Sequence, residues 1–323
     1  MMETLDGLAA RLRQSRNLAA KQDIGAIARR LGLADQAVPV GDDCAAIPDG
    51  DGFLLLAIEG FMNEFVAADP WFAGWCSVMV NLSDIAAMGG RPIAVVDAIW
   101  ADGEANAAPV LDGMRAASEA FGVPIVGGHT NIRTAQSQLS VAVLGRAKAL
   151  LTSFDAQPGH RLIAAIDHRG AYREPFSNWN AATTAPIGRQ RADLELLPQI
   201  VEAGLCHAAK DISQGGIIGT AIMLAECSDV GIDIDIDAVP VPEGVELSRW
   251  LESFPSFGYL LSVAPEHADA VIARFAARDI IAADIGAVTA SRLVTIGSGH
   301  ERCTIYDHAS APLLDMVQRE RAA

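Results

Sequence analysis

The sequence predicts a two-domain protein of the α/β (α+β) class, and three observations carry that expectation. Its 323 residues exceed the length at which one hydrophobic core usually keeps growing. Hydrophobic residues make up 51% of the chain and charged ones 20%, so there is apolar material for filled cores and the composition is not that of a disordered chain. Strand and helix patterns alternate with short connections, and the periodicity lapses in "LLTSFDAQPGHR" at Pro158 and Gly159, which divides the chain into domains 1–152 and 153–323.

Residues 4–33 set Leu5, Leu8, Leu12, Ile24, Ile27 and Leu31 at helical spacing, with breaks near Asn17 and Gly25, so one or two amphipathic helices are expected. Strand patterns follow in "QAVPV" and "GFLLLAIEGFMNEFV". A long helix then runs from about Pro70 through Met88, closed by Gly89 and Gly90 and barred from continuing by Pro92. "PIAVVDAIW" reads as a strand, "AAPVLDGMRAASEAFG" as a helix ending at Gly122, "VPIVGG" as a buried strand and "LSVAVLGRA" as another. Beyond the boundary come the strand "RLIAAID", the irregular "HRGAYREPFSNWNAATTAP", a helix from about Arg191 to Ala203, the loop "AAKDISQGG" and the helix "IIGTAIMLAECSDVG". "IDIDID" alternates as a strand with one buried and one wet face requires. Further strands and helices reach about Ile296, and the tail after Gly297 is polar.

Charge narrows the partners. Lys and Arg number 24 against 40 Asp and Glu, a net −16, which argues against nucleic acid or an anionic membrane and requires cations to mediate any anionic ligand. The five cysteines are odd in number, widely spaced and without a CxxC pair, as in a reduced, cytoplasmic protein. The start has no apolar signal region and no run reaches the roughly 18 apolar residues of a membrane span, so a soluble chain is expected.

Four polar turns interrupt the apolar patterns. "VGDDCAAI" puts Asp42 beside Asp43, two repelling carboxylates that need water or a divalent cation. "VNLSDIAAMGGRP" sets Asn81 and Asp84 on one helical face, either as a structural hydrogen-bonding pair or with Asp84 on a metal and Asn81 steadying it. "PIVGGHTNIR" offers Gly127 and Gly128, where backbone approaches a ligand closely, and then His129, open to metal, phosphate or structural roles. "AAKDISQGGIIG" places Asp211 and Ser213 before two glycines at a helix start, a site suited to phosphate but matching neither the Walker A nor the GxGxxG pattern. "GHERCTIYDH" carries His300, Cys303 and His308 at spacings that fit no structural zinc site.

Together, "GDDCAAI", "VNLSDIAAMGGRP", "IVGGHT", "LGRA" and "KDISQGG" resemble, in order and spacing, the PurM-like superfamily of aminoimidazole ribonucleotide synthetase, thiamine-monophosphate kinase, selenophosphate synthetase and hydrogenase-maturation carbamoyl dehydratase. The resemblance implies an N-terminal β-barrel-forming dimerisation domain, a C-terminal α/β sandwich domain, and ATP held with Mg²⁺. Carried onto this chain, it implies metal ligands at Asp43, Asp84 and Asp211, with Glu59 and His129 standing where the family has aspartates, and ATP contacts at Gly127, Gly128, Arg146 and Ser213. Ile58, Glu59, His129 and Gln214 depart from the family pattern, and the frame is nearest the kinase branch while marking a separate subgroup related to aminoimidazole ribonucleotide synthetase. The function expected is ATP- and Mg²⁺-dependent phosphoryl transfer to a small-molecule acceptor by a homodimer, with a catalytically degenerate nucleotide binder or an ATP-dependent synthetase as the alternatives. Arg173, Asn178, Trp179 and Asn180 are the expected acceptor contacts: arginine for a negative group, amides and an aromatic plate for a polar or planar molecule. The same segment reads equally as a surface loop capped by a packed tryptophan.

Overall fold

A computed structural model describes residues 3–33, 38 and 40–314. In chain order the elements are α1 (Leu5–Arg13), α2 (Arg16–Arg30), β1 (Ala45–Asp49), β2 (Gly52–Phe61), α3 (Asn63–Ala68), α4 (Pro70–Ala87), β3 (Arg91–Asp102), α5 (Glu104–Phe121), β4 (Ile125–Asn131) and β5 (Arg133–Ala147). They continue with β6 (Arg161–Ile166), β7 (Ala171–Tyr172), β8 (Asn178–Asn180), α6 (Arg189–Leu194), α7 (Leu196–Glu202), β9 (Ala208–Asp211), α8 (Gly216–Ser228) and β10 (Gly231–Asp235). The remainder are α9 (Leu247–Trp250), β11 (Phe254–Pro255), β12 (Gly258–Val263), α10 (Ala268–Ala276), β13 (Ile281–Thr289), β14 (Leu293–Ser298) and β15 (Glu301–Asp307).

One compact unit comprises Asp43–Leu150 and Ala182–Glu202. Its five strands lie in the order β1-β2-β5-β3-β4, antiparallel except for the β3–β4 pair. α4 and α5 cover one face of this sheet, over Leu55, Val95, Ile99, Val141 and Val143, which are all buried. The sequence specifies both ends of α4. Asp69 caps its first turn by accepting from Phe72 N at 3.3 Å, Pro70 occupies the first position, and Gly89 at φ 72 ends it, with Gly90 N donating to Ile85 O at 2.9 Å. α4 and α5 approach through glycines: a Cβ on Gly74 would overlap the Val110 carbonyl, and one on Gly113 the Trp71 carbonyl. α6 and α7 return to the same unit, where Arg91 donates to both Glu195 and Glu202 at 2.5–3.1 Å.

The second unit gathers Leu151–Ala181, the described residues from Ala203 onward and the described residues up to Asp42. Its seven strands run β15-β14-β10-β13-β6-β12-β9, with only β10–β14 parallel, and β11, β8 and β7 make a small second sheet. α8, buried almost throughout, fills the core with Ile217, Ile222 and Leu224 alongside Leu162, Ile232, Ile234 and Leu260. Leu5, Leu8 and Leu12 of α1 join this core, and Arg13 donates to Thr304 O of β15 at 2.6 Å.

Several sequence expectations need correction. "QAVPV" falls largely outside the described residues, and the first strand observed is Ala45–Asp49. Residues 63–66, read as strand, belong to α3. Of "VPIVGG", Val123 is buried before the strand begins, while residues 125–128 open β4, an edge strand that is mostly exposed and, among the described residues, pairs with β3. The helix expected at 191–203 is two helices, since Pro198 has no N–H to bond residue 194. "AAKD" is not loop but the buried strand β9. By contact, the described residues up to Asp42 group with the seven-stranded unit and residues 182–202 with the five-stranded one. The polar tail supplies β15 and thereby edges the larger sheet, where His308 Nε2 lies 2.9 Å from Val230 O.

Candidate functional site

In the five-stranded unit, α4 carries the most unusual polar group. Pro70, Trp71 and Ser83 apart, its residues are buried, and among them Asn81 is 0% and Asp84 6% exposed. Asn81 Nδ2 donates to Ser77 O at 2.8 Å, which occupies the donor end of the amide, while Asn81 Oδ1 is buried with no hydrogen-bond donor among the described residues. A buried amide oxygen and a buried carboxylate one turn apart are hard oxygen donors of the type Mg²⁺ takes.

The neighbouring sheet contributes a row of residues whose relation only the register reveals. Glu59 on β2 pairs with Val141 on β5, Val141 with Asp97 on β3, and Asp97 with Gly128 on β4. Glu59 and Asp97 therefore lie two strands, about 10 Å, apart in one row. A Cβ on Gly128 would overlap the backbone and carboxylate of Asp97, so glycine is required for this strand pairing. Burial pushes the Asp97 carboxyl up. The sequence reading passed over Asp97, although a carboxylate inside the apolar run "PIAVVDAIW" was its signal. Gly127 has φ 151 and open space where a side chain would stand. His129 is exposed on β4, its ring 5.7 Å from that of Trp100.

Arg146 lies on β5 against the β1–β2 turn, with Nη2 2.8 Å from Asp51 and Nε 3.4 Å from Asp49. The hydrogen bond to Asp51 raises the guanidinium pKa, and the same bond holds the Asp51 carboxyl below its usual range.

In the seven-stranded unit, Asp42 accepts from Ser153 N at 3.0 Å and Ser153 Oγ at 2.7 Å, so protein donors meet the first carboxylate of the pair; Asp43, the first residue of the five-stranded unit, is half-buried. Asp211, 4% exposed, ends β9. Ser213 follows it, and its carbonyl accepts from Gly216 N at 3.0 Å. Gly215 and Gly216, at φ 111 and 64, open α8 in a turn only glycine enters readily, and the Gly216 N–H is already taken by that carbonyl.

The expected acceptor segment forms the β7–β8 hairpin, closed by Arg173 N to Asn178 O at 3.1 Å. Arg173, Asn178 and Asn180 are half-buried, but Trp179 is only 5% exposed. Its indole N–H donates to Asp167 O at 3.0 Å, and Tyr172 and Trp250 pack edge-to-face with it at 5.2 Å, so the ring is used within the fold. Among the described residues, no three His, Cys, Asp or Glu side chains converge as a metal-holding group, and no helix is long and apolar enough to cross a membrane.

Comparison with known proteins bears on both units. Residues 41–147 match the AIR synthase related protein N-terminal domain and residues 178–298 the corresponding C-terminal domain. An uncharacterized protein of Synechocystis is 48% identical over 96% of this chain and 98% of its own length. A thiamine-monophosphate kinase of Methanospirillum hungatei is 30% identical, covering 66% of this chain and 74% of the kinase. The structure of Thermotoga maritima PurL complexed with ATP superposes with a TM-score of 0.70 at 18% identity over 84% of this chain, which spans 46% of that longer protein and so shares its fold. Both domain matches fall in order along most of the chain, and the fold agrees with them: the chain belongs to the AIR synthase related protein family, of the PurM-like superfamily.

Proposed function

We propose that this protein is an ATP- and Mg²⁺-dependent enzyme that transfers a phosphoryl group to a small-molecule acceptor and works as a homodimer. The observation that carries the reading is the pair of buried oxygen donors, Asp84 and Asn81 Oδ1, set into an otherwise apolar α4. A kinase among the relatives and an ATP complex among the structural neighbours support the nucleotide.

In this reading Asp43, Asp84, Asp211 and Glu59 supply carboxylates to Mg²⁺, which offsets the charge of the phosphate oxygens when bound. His129, an imidazole, is the poorest match to that ion. Gly127 and Gly128 let backbone come close to phosphate, and Ser213 with the N-terminus of α8 offers N–H and O–H donors. Arg146 reaches the nucleotide by exchanging its surface carboxylates. Arg173, Asn178 and Asn180 orient the acceptor, with Trp179 bracing the hairpin from within. Positioning and charge neutralisation suffice for such a transfer, which asks little covalent chemistry of the protein.

The homodimer rests on the uncovered face of the five-stranded sheet. There Ile58, Ala142 and Val96 form one cross-strand row and Leu56, Leu144 and Ala94 the next, with Ile58 69% and Leu56 49% exposed. An apolar sheet face of this kind marks an association surface.

The direct test is the thermal midpoint with and without Mg-ATP. Ligand at 100-fold over its dissociation constant stabilises by about 2.7 kcal/mol, a rise of several degrees. The rise should vanish in Asp84→Asn with the variant still folded. A variant that keeps the full rise removes Asp84 from the site. The exposed imidazole of His129 favours one second reading, nucleotide binding without turnover, in which the rise occurs but no ADP accumulates with any acceptor.

A further inference from the structure

β9 carries a buried lysine that the functional reading does not use. Lys210 is 4% exposed, and an ammonium withdrawn from water is tolerated only among compensating groups. Its Nζ lies 3.4 Å from Ser153 Oγ. Ser153, itself 0% exposed, is a hub. Its N–H and hydroxyl both reach the Asp42 carboxylate, at 3.0 and 2.7 Å, and its carbonyl accepts from Ser228 Oγ at 2.7 Å. Ser228 Oγ in turn accepts from Ala156 N at 3.0 Å.

The backbone brings these groups together. Thr152 forms an isolated parallel bridge with Ala208, with Thr152 N bonded to His207 O at 2.9 Å and Ala209 N to Thr152 O at 3.2 Å, so the 152–153 stretch runs beside β9. A carboxylate, a serine carrying two donors and a buried ammonium therefore lie in series.

We infer that Lys210, acting through Ser153, is a positioning residue that anchors Asp42 as a structural carboxylate and so leaves Asp43 as the metal-binding member of the adjacent pair. Two neighbouring carboxylates repel, and a donor set that holds one of them separates their roles. With Asp42 held by protein donors, the main chain leading into Asp43 is fixed and the second carboxylate is presented alone. The inference rests on the Mg²⁺ reading of Asp43 given above.

The test titrates Mg²⁺ at fixed ATP, following the thermal midpoint of the full chain and of Lys210→Met, Lys210→Arg, Ser153→Ala, Asp42→Asn and Asp43→Asn. Lys210→Met should raise the Mg²⁺ concentration for half-maximal stabilisation about 10-fold or more, as loss of a group supporting a metal ligand does, with partial recovery in Lys210→Arg. Asp43→Asn should abolish the response, whereas Asp42→Asn should weaken it as Lys210→Met does. If Lys210→Met does not fold, Ser153→Ala, which removes only the hydroxyl link, should shift the titration in the same direction. A folded Lys210→Met or Ser153→Ala with the wild-type Mg²⁺ requirement overturns the inference, as does an Asp42→Asn that abolishes the response outright. If the wild type gives no Mg²⁺ response, the functional reading fails, and urea unfolding of Asp42→Asn, Lys210→Met and the double variant then decides the anchoring alone. Non-additive effects uphold it and additive ones overturn it.

Discussion

Two histidines in the seven-stranded unit have pKa values lowered chiefly by burial. His160 Nδ1 lies 2.9 Å from Ser262 Oγ, and His168 Nε2 is buried with no partner among the described residues, its ring edge-to-face with Trp250 at 5.2 Å. The unfolded chain takes up these protons near 6.5 while the folded chain resists them. Stability is therefore fully present above that pH and falls as the pH drops below it, so the thermal midpoint should be lower at about pH 5 than at about pH 7. His168→Phe, which keeps the aromatic packing and removes the titrating nitrogen, should flatten part of this dependence with little change at neutral pH. An unaltered pH profile in that variant assigns the acid sensitivity elsewhere. Cys206 has the opposite character: burial pushes its thiol up to about 12, and its Sγ donates to Ala208 O at 3.2 Å, so it stays a protonated core residue that thiol reagents reach only on unfolding.

At the scale of elements, the α4–α5 contact is the most sensitive to single-residue change. Gly74→Ala or Gly113→Ala sets a methyl against backbone carbonyl, which cannot rotate away, so each should destabilise by about 2 kcal/mol or more in denaturant unfolding. Wild-type stability in both variants would mean that the helices separate without cost. The glycines themselves are visible in the sequence, but their purpose is not, because it depends on where one helix crosses another. The same distinction separates what was legible from what was not. α4 was readable end to end, since Asp69, Pro70 and Gly89 are local signals. β9 was not, because four residues ending in Lys210 and Asp211 look like polar loop until β12 pairs with them. The return of α6 and α7 is recorded in Arg91 to Glu195, 104 positions apart, a distance at which no periodicity speaks. At the site, Asp84 and Asp211 stand out as acids beside apolar runs, whereas the row that links Glu59 to Asp97 exists only in the register.

For the whole molecule, the proposed homodimer makes a prediction about the open sheet face. Ile58→Asp puts a charge at the β2 end of the Ile58–Ala142–Val96 row, at its most exposed position, and should convert a dimer to monomer in analytical ultracentrifugation while the far-ultraviolet circular dichroism is kept. A dimer that persists locates the interface on another surface.

The docking of α1 on β15 links Cys303 Sγ to Asp6 Oδ1 at 2.8 Å across 297 positions. On the ribosome, Leu5, Leu8 and Leu12 are synthesised long before β15, and α1 lacks that part of its native surface until β15 has been made. Closure between segments so far apart in sequence raises the contact order and slows this docking step. In the interval the nascent helix is the natural handle for a chaperone, and truncation within β15 should leave it exposed for good.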